Sequence, residues 1–153
     1  MISVLFLLAL AVVCLDAARV DLRERRLPNQ HTLAIAVVVG SLLGVWQSNF
    51  SASRHWWWPA LAVSVVHLGL ALLPARVLGM GDAKLIAAIS PLMSWWNVLA
   101  LWLLISYASA ACWGLILMKL SRNSRIPFGP HQIAAAMAVV VGQFARVALA
   151  YCR

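Results

Sequence analysis

Long apolar runs, separated by short charged or tryptophan-rich breaks, dominate the chain. Met1 to Leu15 carries no charge, nor does Leu27 to Phe50, nor Leu85 to Met118. A helix needs about 20 residues to cross roughly 30 Å of hydrocarbon. The first two runs come close to one crossing each, and the third is long enough for more than one. The pattern predicts helical spans at roughly 1–18, 32–48, 56–74, 83–95, 98–118 and 132–150. Trp95-Trp96-Asn97 divides the longest run, because tryptophan pairs favour the membrane–water interface. The fourth span is therefore short, reaching only about 20 Å at 1.5 Å per residue. Pro91 near its end fits a kink or an early stop, and the short span either thins the bilayer or ends within the bundle. No linker, repeat or low-complexity segment marks a second domain. The expectation is a single all-α membrane domain over residues 1–153, a bundle of about six transmembrane helices.

Composition agrees with this picture. Apolar residues make up 64% of the chain and charged ones 10%, too little polar surface for a soluble monomer of this size. The first run could also be a cleaved signal, but Met1-Ile2-Ser3 has no basic residue and the charged stretch after Ala18 reads as a membrane exit. A lipobox ending at Cys14 is poorly matched by Ala-Val-Val, so the first helix is expected to be retained. Cys14, Cys112 and Cys152 are scattered, with no CxxC pair and no His–Cys cluster. They predict neither a disulfide framework nor a zinc site, and read as small apolar residues within helices.

The net charge of +8 raises the question of nucleic acid. The basic residues, however, flank the ends of apolar runs, and no basic arm or soluble module exists to hold a duplex. Orientation accounts for them better. Arg19, Arg23, Arg25, Arg26, Arg76, Lys84, Lys119, Arg122 and Arg125 gather on one side. Arg54 and Arg153 lie on the other, and Arg146 falls within the last span, where it can snorkel outward. The positive-inside rule then makes the 19–31, 75–82 and 119–131 loops cytoplasmic and puts both termini outside.

Only four acids remain to be placed: Asp16, Asp21, Glu24 and Asp82. All fall at the cytoplasmic edge, where an ionisable side chain is costly and hence a candidate for function. Each also has a plain structural reading. Asp82, in GMGDAK, could cap the fourth helix. Asp21 and Glu24 could pair with Arg25 or Arg26, and Asp16 could snorkel or pair with Arg19. Two carboxyls brought together from different helices would do something else. Held close, they cannot both ionise, so one keeps a proton while the other acts as base. Such a pair can activate water against a peptide carbonyl and then protonate the leaving amine. Glycines beside Asp82 would let a substrate backbone approach closely.

Three motifs give these acids a context. GMGDAK, residues 79 to 84, resembles the GxGD signature of intramembrane-type aspartic peptidases. VDLRERRLPN, Val20 to Asn29, resembles the first aspartate segment of type IV prepilin peptidases, with its aspartate seven residues before a proline. RIPFGP, Arg125 to Pro130, resembles the Pro-Phe-Gly-Pro element that precedes the last helix of the same family. The motifs occur in the family's order and span nearly the whole chain.

The resemblance implies a six-helix peptidase of the bacterial inner membrane, removing the short basic leader of type IV pilin-like precursors on the cytoplasmic side. It assigns the catalytic pair to Asp21 and Asp82. Gly79, Gly81 and Lys84 match its second motif, Pro28 and Asn29 its first, and Pro127, Phe128, Gly129 and Pro130 its third. Asp16 matches nothing and is expected to be structural. Larger prepilin peptidases carry a cytoplasmic region with two cysteine pairs, linked to methylation of the new N-terminus. This chain has no counterpart, and resembles the short peptidase-only branch serving Flp/Tad-type pili. Neither methyltransferase activity nor zinc is expected, and no cofactor is implied. The partners implied are prepilins and membrane lipids, with the basic loops facing anionic headgroups rather than a basic leader.

Presenilin and signal-peptide-peptidase types share GxGD but have more spans and a Tyr-Asp first motif, whereas Asp21 follows Val20. The remaining rival is a non-enzymatic assembly factor or small transporter whose acids are structural. His31 and His131, at cytoplasmic helix starts, could neighbour the aspartates or serve as interfacial polar groups. His67 reads as an interhelical hydrogen-bonding residue, and the tryptophan clusters as anchors.

Overall fold

The apolar runs fold as six helices in the computed structural model: α1 (Ile2–Glu24), α2 (Asn29–Asn49), α3 (Trp57–Leu72), α4 (Met80–Trp95), α5 (Leu99–Leu120) and α6 (Phe128–Tyr151). The structure describes residues 2–24, 27–49, 57–73, 78–120 and 128–151, and among these there is no strand. Each predicted span has its helix. The differences lie at the ends. α1 runs past its predicted limit and α2, α4 and α6 start before theirs, because helical hydrogen bonding continues beyond the point where hydropathy drops. α3, by contrast, ends at Leu72, two residues early. α1 runs on through Asp21 to Glu24, and α6 starts at Phe128, so Gly129 and Pro130 lie in its first turn. Proline is tolerated there because first-turn N–H groups lack helical partners anyway.

The shortest predicted span, α4, is the centre of the molecule. It packs against α2, α3, α5 and α6, while α1 packs on α2 and α6. Leu85, Ile86, Ile89, Leu92 and Met93 of α4 are buried against Ile35, Val39 and Leu42 of α2, Trp102 of α5 and Ile133 of α6. Small residues let α3 approach closely. Ser64 and Ser90 lie 3.1 Å apart at their hydroxyls, and the Ser64 hydroxyl donates to the Ala60 carbonyl at 2.7 Å. Pro91 cannot donate to the Ala87 carbonyl, and α4 runs only four residues past it, to Trp95. Asn97 then turns the chain with φ 59°, a left-handed angle that asparagine tolerates better than most residues.

The outer surface is apolar. Leu5, Leu8, Val12 and Leu15 of α1, Val65 and Val66 of α3, and Leu104 and Leu115 of α5 are all exposed. Among the described residues, Leu99–Leu117 is long and apolar enough to cross a membrane, and Asn29–Val45 and Trp57–Leu72 are shorter apolar segments. Two tryptophans read as anchors, Trp57 and Trp58, stack at 3.9 Å on the exposed start of α3. Trp102 is different: it is fully buried and its indole N–H donates to the Gln132 carbonyl at 3.0 Å, tying α5 to α6.

Candidate active site

Three helix ends converge to build the site. α1 brings Asp21 from its last turn, α4 brings Asp82 from its first, and α6 inserts Gly129 between them. A β-carbon built at Gly129 would lie 2.7 Å from Asp21 Oδ2 and 3.5 Å from Asp82 Oδ1. Both carboxyls therefore surround one point, and any side chain at Gly129 would collide with the first of them. The Gly129 backbone N–H donates to the Asp82 carboxylate. Asp21 is only 5% exposed, and its Oδ2 has no hydrogen-bond partner among the described residues.

Both carboxyls lie just outside the predicted spans 1–18 and 83–95. Burial pushes Asp82 up to about 7; the Asp21 charge adds to the rise, and the Gly129 N–H opposes it. Burial also raises Asp21. Desolvation and like charge act in the same direction on such a pair, favouring a state that shares one proton.

The helix-cap reading of Asp82 gives way to a different arrangement. Gly79 is the N-cap residue of α4, its carbonyl accepting the Ala83 N–H at 3.0 Å. Asp82 stands one turn in, with Oδ2 folded back to 2.9 Å from where a Gly79 β-carbon would be.

The first two motifs are joined directly. A β-carbon at Gly81 would meet Leu27 Cβ at 3.2 Å and the Leu27 backbone nitrogen at 3.5 Å, so α4 starts flush against the link between α1 and α2. Pro28 precedes α2, its carbonyl accepting the His31 N–H at 3.1 Å. Lys84 Nζ donates to Asn29 Oδ1 at 2.8 Å. Leu27, Pro28 and Asn29 thus fix the end of α1 relative to the start of α4, and with it the spacing of the two aspartates. Phe128 packs its ring on Tyr107 of α5 at 5.0 Å, and Pro130 follows Gly129 in α6. Pro127, like Arg25 and Arg26, lies outside the described residues.

The remaining candidates make contacts of their own. Asp16 accepts from His31 Nε2 at 2.9 Å, rather than pairing with Arg19, and bridges α1 to α2 at an exposed position. His31 is thus engaged by Asp16. His131 lies two residues beyond Gly129, with its imidazole lowered by burial. His67 does join two helices: its Nε2 meets the Tyr107 hydroxyl at 2.6 Å. Tyr107 had no signal in the sequence, because a partner forty residues away on an apolar helix belongs to no local motif.

A family model described as the type IV leader peptidase family matches residues 5–115. No curated protein and no solved structure matches the chain. The matched region contains Asp21, Pro28, Asn29 and the whole of GMGDAK, and ends before the Gly129 turn that seats itself between the two carboxyls. With most of its length in that match, the chain belongs to the type IV leader peptidase family, whose members are membrane peptidases acting on prepilins.

Proposed function

We propose that this peptidase is an aspartic endopeptidase in which Asp21 and Asp82 are the catalytic pair. The observation that carries the reading is the convergence of both carboxyls on Gly129, one buried and the other raised to about 7. One carboxyl of such a pair holds the shared proton and the other is ionised. The ionised carboxyl takes a proton from water as the water oxygen bonds to the scissile carbonyl carbon. The protonated one gives its proton to the carbonyl oxygen. Collapse of the tetrahedral intermediate breaks the C–N bond, with a carboxyl proton passing to the leaving amine. Gly79, Gly81 and Lys84, with Pro28, Asn29, Phe128 and Pro130, shape the loop and helix ends that hold the pair.

The reading extends to location and substrate. The apolar outer surface suits six spans in a bacterial inner membrane, with α4 sheltered inside the bundle. The excess of basic residues at the ends bearing Asp21 and Asp82 supports an active site toward the cytoplasm. In this reading the substrate is a Flp/Tad-type prepilin.

A gel-shift cleavage assay, co-expressing the protein with a Flp-type prepilin, tests this. Asp21→Asn and Asp82→Asn should each abolish processing while the protein still inserts into membranes. Processing that survives both substitutions would show that the carboxyls are structural.

A further inference from the structure

His67 and Tyr107 form a short hydrogen bond between two helices that flank α4 rather than packing extensively on one another. The direction of that bond is fixed. His67 Nδ1 lies 2.7 Å from the Val63 carbonyl, which can only accept, so Nδ1 carries the proton of the neutral ring. Nε2 is then bare and accepts the Tyr107 hydroxyl proton at 2.6 Å. The phenol oxygen therefore turns its lone pairs, and no proton, away from His67.

That oxygen belongs to the surroundings of the aspartates. The Tyr107 ring packs at 5.0 Å on Phe128, the residue before Gly129, whose α-carbon lies beside both carboxyls. Ser64 faces Ser90 across the antiparallel α3–α4 contact. His67, nearly one turn along α3, is thus level with Ala87 of α4, about 7.5 Å beyond Asp82 at 1.5 Å per residue. An extended peptide advances about 3.3 Å per residue. A chain cleaved at the aspartates and continuing into the bundle would bring its second residue to this level. Away from water, its backbone N–H needs an acceptor, and both carboxyls are committed to the reaction.

Resting on the aspartic peptidase reading, we propose that Tyr107 is a substrate-positioning residue, its phenol oxygen accepting a backbone N–H of the substrate just beyond the scissile bond, and that His67 positions Tyr107. The ring of Tyr107 stays on Phe128 whether or not the hydroxyl is present, so the two roles can be separated.

The test is steady-state cleavage of a Flp-type prepilin by the purified protein in liposomes. Tyr107→Phe should lower kcat about tenfold with KM within about twofold, as expected for loss of an alignment made in the reacting complex. His67→Leu should match it, and the double variant should lose no more. His67→Gln, which keeps an acceptor near the Nε2 position, should recover most of the rate. Wild-type kinetics for Tyr107→Phe would overturn the inference while leaving the peptidase reading intact. So would losses that His67→Gln fails to rescue and that track reduced thermal stability, which would make the pair purely structural. Failure of the wild-type protein to cleave would instead remove the peptidase reading, and this inference with it.

Discussion

One α-hydrogen of Gly129 faces Asp21: a β-carbon in its place would stand 2.7 Å from the Asp21 carboxyl oxygen, with Asp82 also close by. The obstructing atoms are the ends of rotatable side chains, and no described glycine has a positive φ. Alanine is also the better helix former by about 1 kcal/mol. Gly129→Ala should therefore fold and insert normally, with thermal stability within about 1 kcal/mol of wild type. Cleavage should fall at least about tenfold, since displacing one carboxyl by a fraction of an ångström disrupts the proton transfer. Parallel rate and thermal-shift measurements check this. A fully active Gly129→Ala protein would mean that the carboxyls act elsewhere.

The helices were legible in the sequence because each apolar run is bracketed by charges, prolines or paired tryptophans, and membrane-length periodicity needs no tertiary knowledge. Their ends were less so. Hydropathy places the end of the first span at residue 18, yet Asp21 remains helical because amphipathic last turns keep their backbone bonds outside the apolar zone. Asp82 and Asp21 stood out as rare acids and were paired through family resemblance, but the seat of Gly129 between them left no mark in the sequence. His67 was legible as an interhelical hydrogen-bonding residue, but its partner Tyr107 and the burial of Trp102 were not. Both depend on which face of an evenly apolar helix turns inward, and a helix apolar all round encodes no such face.

Lys84 and Asn29 connect the second motif to the first through one exposed hydrogen bond of 2.8 Å. A charge-assisted bond in this setting is worth about 1 kcal/mol or less in stability. Its larger effect should be on the alignment of the aspartates. Lys84→Met and Asn29→Ala should each reduce kcat by a factor of roughly 3 to 10, and the double variant should be no worse than either single. Additive losses in this cycle would show that the two side chains act independently.

Asp16 and His31 make a comparable 2.9 Å contact, but away from the carboxyl pair and with Asp16 60% exposed. Exposed pairs contribute at most about 1 kcal/mol. Asp16→Asn should leave prepilin cleavage within about twofold of wild type and lower thermal stability only slightly. Loss of processing in this variant, with Asp21→Asn still active, would move the catalytic pair to Asp16 and Asp82.

Asp82 raised to about 7 gives two pH dependences of defined sign. The pair needs one proton, so kcat should fall as pH rises through about 7, approaching tenfold per unit on the alkaline side, and fall again at low pH when both carboxyls are protonated. Stability follows from linkage. The native value lies above the ordinary carboxyl value of 3.8, so the folded protein binds more protons than the unfolded chain between these limits. Stability is therefore greatest below about pH 4 with respect to this group, and declines as pH rises toward 7, by at most about 4 kcal/mol. Asp82→Asn removes the titrating group and should flatten that decline. Melting temperatures in detergent between pH 5 and pH 8 should drop more for wild type than for the variant. Equal slopes would place the perturbed carboxyl elsewhere, with Asp21, also raised by burial, the next group to substitute.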